Sequence, residues 1–168
     1  MKKTDTVLRQ LVDWNAAFWA GILSGVLALT ISAVITWRLL GSPMVAFRII
    51  ASVVRGPSVL QPVAGDDAGV ILAALFVQLA IALVFALITA VVVHRWGLLV
   101  SFVGGGLLGL ALYVINFYSI SFFFPWLFAY RSWIFMVAHI TFGAVAGVIY
   151  ELLEVETFVP VMAKGKKR

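Results

Sequence analysis

Apolar residues in this chain come in long unbroken runs, and polar residues collect at the borders between them. Four runs, at about residues 16–40, 69–93, 98–118 and 132–153, reach the roughly 20 residues that a helix needs to cross a hydrocarbon core. Lipid offers a backbone no water to bond, so runs of this length are read as helices. The first exceeds the apolar region of about 7–15 residues of a signal peptide and is read as a retained span. Between the first and second runs the pattern changes. Residues 43–55 begin with Pro43, suited to a first helical turn, and stop at Gly56-Pro57. Arg48, Ser52 and Arg55 recur there at spacings of four and three, a narrow polar stripe on an otherwise apolar helix too short to cross. That is the pattern of a helix lying in the outer interface with its stripe toward polar surroundings. Asp66 and Asp67 follow, placed to favour the start of the second span through its dipole or to pair with the arginines.

The pattern predicts an all-α integral membrane protein. It is a four-transmembrane-helix bundle with an interfacial amphipathic helix between spans one and two, and residues 1–168 form a single membrane domain. Composition agrees: 64% of the 168 residues are hydrophobic and 11% charged, with a mean hydropathy of +1.12. Six tryptophans fall near span borders, where amphipathic rings anchor. The net charge of +5 sits at chain ends and span borders rather than in an aromatic-laced patch, so it points to orientation and not to nucleic acid. With four spans both termini share a side. That side carries eight basic residues (Lys2, Lys3, Arg9, Arg95, Lys164, Lys166, Lys167, Arg168) against four opposite (Arg38, Arg48, Arg55, Arg131), which predicts cytoplasmic termini.

Small residues at helical spacing mark close approach: Gly21 with Gly25, Gly105 with Gly109, Gly143 with Gly147. They serve packing within the chain or dimerisation, and the sequence leaves both open. The run Gly104-Gly105-Gly106 is expected to stay helical, since lipid gives its backbone no alternative partner.

Gln78, Asn116 and His139 lie one on each of spans two, three and four at compatible depth. They are expected to converge in an outward-opening pocket, roofed by the arginine helix, the Asp66-Asp67 loop and the aromatic turn that ends in Arg131. Two readings stand. Either these groups hydrogen-bond helices together, each bond contributing about 0.6–2 kcal/mol, or His139 contacts a ligand as an ionisable group within a span. Arg131 either snorkels to the interface or pairs with Asp66 or Asp67. Glu151, Glu154 and Glu156, beside the basic tail, are read as a solvated segment near lipid headgroups. With no cysteine, and with His94 and His139 toward opposite faces, neither a metal nor a cofactor is expected. No catalytic constellation is evident.

The phrases FRIIASVVRGPSVL, AGVILAALFVQLAIALVFALI, GLALYVINFYSISFFFPWLFAYRSWIF and AHITFGAVAGVIYE, together most of the chain beyond its head, resemble a group of small four-span bacterial inner-membrane proteins. Some of these carry the inherited label "sodium:proline symporter". Symporters of that class use inverted repeats and broken helices over a longer chain, and neither is present in this sequence. The resemblance implies a bacterial inner membrane and four spans, and supplies no catalytic residue. The expected function is a non-catalytic accessory or scaffold subunit, with membrane lipids and other membrane subunits or a second copy as partners. The alternative is a small oligomeric transporter or channel.

Overall fold

The computed structural model describes residues 6–61 and 67–162. Four of its helices are long and apolar enough to cross a membrane. Helix α1 spans Trp14–Leu40, α3 Asp67–Val93, α4 Gly97–Val114 and α5 Trp133–Leu153, with the shorter α2, Met44–Arg55, between the first two. Local signals set the boundaries. The Asp13 carboxylate accepts from the backbone N–H groups of Asn15 and Ala16 at 3.0 Å each, satisfying two donors that α1 leaves open. Gly41, at φ +76°, ends α1 in a left-handed turn that a side chain would strain. Past Val114 the third span continues through a π turn, Ile115–Ser119, and a 3₁₀ turn, Ile120–Phe122, so it runs beyond the expected border at 118.

Backbones approach most closely between α4 and α5. A Cβ built on Gly105, Gly109, Gly143 or Gly147 would overlap the carbonyl oxygen of Gly143, His139, Gly105 or Ser101 respectively. Gly21 and Gly25 do the same for α1 on α3, where a Cβ would come within 3.0 Å of Leu83 Cα and 2.7 Å of Ala82 Cβ. All three small-residue pairs thus pack within the chain. Gly104 differs, for its nearest neighbour would be Val93 Cγ1 at an ordinary 3.6 Å. The triple-glycine stretch is helical, as expected.

The helices close tightly at the end where α1 begins and α5 stops, here termed the terminal end. Ala16, Ala17 and Ala20 of α1, Ala90 and Val93 of α3, and Tyr150 of α5 form one buried cluster there. A second cluster at mid-depth joins Ala82 and Phe85 to Phe142 and Ala146. At the opposite, loop end, a third cluster holds α2 to α3 through Ala51, Val59, Val70 and Ala74.

Two expectations need correction. The glutamate run is not simply a solvated segment, for Glu151 and Glu154 take side-chain hydrogen bonds and the chain beyond them forms a strand: Thr6–Leu11 (β1) and Thr157–Met162 (β2) make an antiparallel two-stranded ribbon, with Thr6 opposite Met162 and Leu11 opposite Thr157. Val7, Leu8 and Val161 show the β-branched and aliphatic bias of a strand, but lie next to long spans that dominate any hydropathy reading. Two of the three residues of the α2 polar stripe do not look out to a watery interface either, although Arg55 is exposed. Arg48 and Ser52 are buried, because their polar atoms find partners inside the protein. Arg48 donates to the carbonyls of Val59 (3.1 Å) and Gln61 (3.2 Å), and Ser52 Oγ accepts the Trp126 indole N–H at 3.0 Å while donating to Ile49 O at 2.6 Å.

Candidate functional site

From mid-depth to the loop end the spans stand apart around a cavity of about 170 Å³. Large residues hold them off: Leu27 and Ile31 of α1, Ile49 of α2, Ile81 of α3, and Phe135 and Phe142 of α5 all line it. Gln78, Asn116 and His139 line the same cavity, so three spans bring their polar side chains to one place as expected.

The local geometry orders these groups. His139 Nδ1 lies 2.8 Å from the Phe135 carbonyl one turn back on α5. A carbonyl only accepts, so Nδ1 carries the proton and Nε2 of the neutral ring is an acceptor. Asn116 Nδ2 sits 3.2 Å from Nε2 and must be the donor there, which fixes the amide so that Oδ1 points elsewhere. Asn116 is the second residue of the π turn that follows α4. The His139 ring is gripped edge-on by Tyr113 and Phe117, each with centroids 5.7 Å away. Gln78 donates through Nε2 to the Gly25 carbonyl at 3.4 Å, the same glycine whose lack of a side chain lets α1 approach.

The charged candidates do not join this cavity. Arg48 is drawn away to Asp67, 2.8 Å between Nη2 and Oδ1, which meets the expected pairing while removing both from any role as cavity wall. Arg55 is exposed at the end of α2 and lies outside the lining. Arg131 stacks on Phe128, its guanidinium carbon 3.7 Å from the ring centroid, and lies 5.5 Å from that of Tyr118. Asp66 lies outside the described residues. The roof is therefore the apolar face of α2, with Ala46, Ile49 and Val53, together with Leu127 of the aromatic turn.

A second polar assembly, at the terminal end, was read in the sequence only as a solvated charge run. Tyr150, fully buried, donates its hydroxyl to Glu154 Oε1 at 3.0 Å and accepts the backbone N–H of Asp13 at 3.3 Å. Gln10 of β1 also donates to Glu154 Oε1, at 3.3 Å, and Asp13 Oδ2 accepts the N–H of Val155 at 3.1 Å. Ser101 of α4 donates to Glu151 Oε2 at 2.9 Å. These contacts bind the ribbon to the helix ends. Burial raises the Glu154 carboxyl above its usual 4.5, and the Ala16 N–H is the chief cause of a lowered Asp13. The i, i+4 spacing of Tyr150 and Glu154 was a visible signal; contacts across more than 130 residues were not.

Among the described residues no group of three or more His, Cys, Asp or Glu side chains gathers as a metal site would require. Comparison with protein-family models, with curated proteins and with solved structures finds no match.

Proposed function

We infer that this chain is a non-catalytic accessory or scaffold subunit of a bacterial inner-membrane complex, its four spans forming a bundle, α2 lying in the outer interface and both termini in the cytoplasm. The observation that carries this reading is the terminal ribbon. Two strands alone are marginal in water, and a ribbon whose outer edges pair with nothing among the described residues presents free N–H and C=O groups to another chain. Val7, Leu8 and Phe158 are exposed on it. Pro160 removes one donor from β2, so β1 is the better edge. The partner is an extended segment of another subunit that adds as a third strand beside β1. Its acidic character follows from Arg9 and from the basic residues that the sequence places at both chain ends. Purification of the tagged native chain in mild detergent, with mass spectrometry of what accompanies it, should recover a stoichiometric second subunit. Recovery of the chain alone would count against the role, and a periplasm-active reporter working after Arg168 would reverse the orientation.

A second reading, a small oligomeric transporter or channel, draws support from the cavity at the loop end. Against it stands the buried alanine cluster around Tyr150, which packs α1, α3 and α5 closely at the terminal end. Solute flux in vesicles containing only this chain would favour transport over the accessory role.

A further inference from the structure

The loop-end cavity combines three properties that together specify an occupant. Its wall carries no fixed charge: no Asp, Glu, Lys or Arg lines it, and with Nδ1–H on the Phe135 carbonyl the neutral His139 ring presents Nε2 as an acceptor. Its size, about 170 Å³, is close to the roughly 150 Å³ of a cavity that admits one benzene ring. Its polarity has a direction. Asn116 spends an N–H on His139 Nε2, and Gln78 spends one on the Gly25 carbonyl, so the oxygens Asn116 Oδ1 and Gln78 Oε1 are both turned away from those partners. Among the described residues neither oxygen takes a hydrogen bond, and neither is fully buried. Thr89 Oγ1 is the one fully buried side-chain polar atom without a partner among the described residues. The hydroxyls of Ser32 and Thr141 also line the cavity but donate or accept equally well and set no preference.

Two amide oxygens left as acceptors on residues that line a mostly apolar, ring-sized space suit a ligand that brings a donor of its own. We propose that this cavity is a binding site for a neutral single-ring molecule bearing a hydroxyl, of the phenol class. Its ring packs against Phe135 and Phe142 and its O–H donates to Asn116 Oδ1 or Gln78 Oε1. A phenol partitions into the membrane and exchanges one water-facing hydrogen bond for one to an amide, whereas the same ring without the proton leaves both oxygens unpaired. The site is independent of the strand-adding edge at the other end of the molecule.

Fluorine NMR of the full chain in detergent, with 4-fluorophenol and its methyl ether 4-fluoroanisole as probes, tests the assignment. Partition into micelles does not saturate and is the same for every variant, so only saturable shifts count. The expected result is saturable binding of 4-fluorophenol about tenfold tighter than the ether, the factor that one net hydrogen bond confers. Ala28→Phe, which fills the cavity from α1, should abolish saturable binding of both probes. Asn116→Leu together with Gln78→Leu should bring the two probes within about threefold of each other. Equal affinity of phenol and ether for the native chain would overturn the donor requirement. Saturable binding that survives Ala28→Phe would place the site elsewhere, and no saturable binding of either probe would remove it. If the double variant fails to fold, the native-chain comparison and Ala28→Phe still decide.

Discussion

The same four helices meet in two different ways at their two ends. At the terminal end alanines let backbones close, Tyr150 is fully buried, and its hydroxyl, the Asp13 backbone N–H and Glu154 form a continuous set of bonds that also captures β1. At the loop end leucine, isoleucine and phenylalanine side chains hold the spans apart, and the Gln78 and Asn116 amides between them are each bonded through the nitrogen only. Side-chain volume at the contact therefore decides whether a polar group in a span becomes a strut or part of a cavity wall. A small neighbour brings the backbone within reach, whereas a large one leaves room that the polar atom cannot fill.

The comparison breaks most readily at the glycine seam on which both ends depend. Gly143→Leu should cost more than about 3 kcal/mol and leave little folded protein in detergent, because the opposing atoms are backbone and cannot turn aside. Gly104→Ala, next to Gly105 in the chain but with only an ordinary contact to Val93 in reach of its Cβ, should be neutral or slightly stabilising, and thermal denaturation of the pair would show the contrast. Loss of Gly104→Ala as well would mean that the seam is wider than Gly105, Gly109, Gly143 and Gly147.

Tyr150→Phe removes one hydroxyl from the terminal network and should lower stability by about 2 kcal/mol, since a charged acceptor and a backbone donor both lose their partner. Hydrogen exchange in β1 and β2 should rise with it. At the loop end His139→Leu should cost only about 1 kcal/mol, the range for hydrogen bonds between spans, and His139→Asn less. A larger loss at His139 than at Tyr150 would invert the contrast between the two ends. Thr89→Val sharpens it from the other side: the hydroxyl is buried without a partner in α3, so its removal should raise stability by up to about 1 kcal/mol in the same thermal assay.

The smallest effect expected is with pH, and it is confined to the terminal end. Glu154 is raised above 4.5 by burial and by the neighbouring Glu151, against the opposing pull of Tyr150, His94 and Gln10. A carboxyl with a raised folded value holds its proton more tightly when folded, so its contribution to stability declines as pH rises from 4.5 through that value. Asp13 works in the opposite sense, and its contribution is lost as pH falls below its usual 3.8. Exchange at the ribbon amides should therefore slow as pH is lowered from neutral toward about 5, after correction for the intrinsic rate, and Glu154→Gln should flatten the response. A slope of the opposite sign in the native chain would show that Asp13 and not Glu154 governs this end.

Hydropathy alone marked the four long helices to within a few residues, because a backbone in lipid can satisfy its hydrogen bonds only within its own helix and length is then set by membrane thickness. Periodicity alone found α2, and glycine spacing found the three close contacts, since both are properties of one helix face. The meeting of Gln78, Asn116 and His139 was legible for the same reason: depth along a span can be counted from its border. Tertiary structure decided which way each group turned. Arg48 folds inward because the carbonyls of Val59 and Gln61 and the carboxylate of Asp67 lie on that side, a fact of loop path and not of stripe pattern. Asn116 reaches His139 from a π turn, and nothing in a 3.6-residue period announces such a turn. The ribbon was hidden in the same way, for pairing residue 6 with residue 162 depends on spans that bring the two chain ends together, and six-residue strands carry no signal strong enough to reveal a partner so distant in sequence.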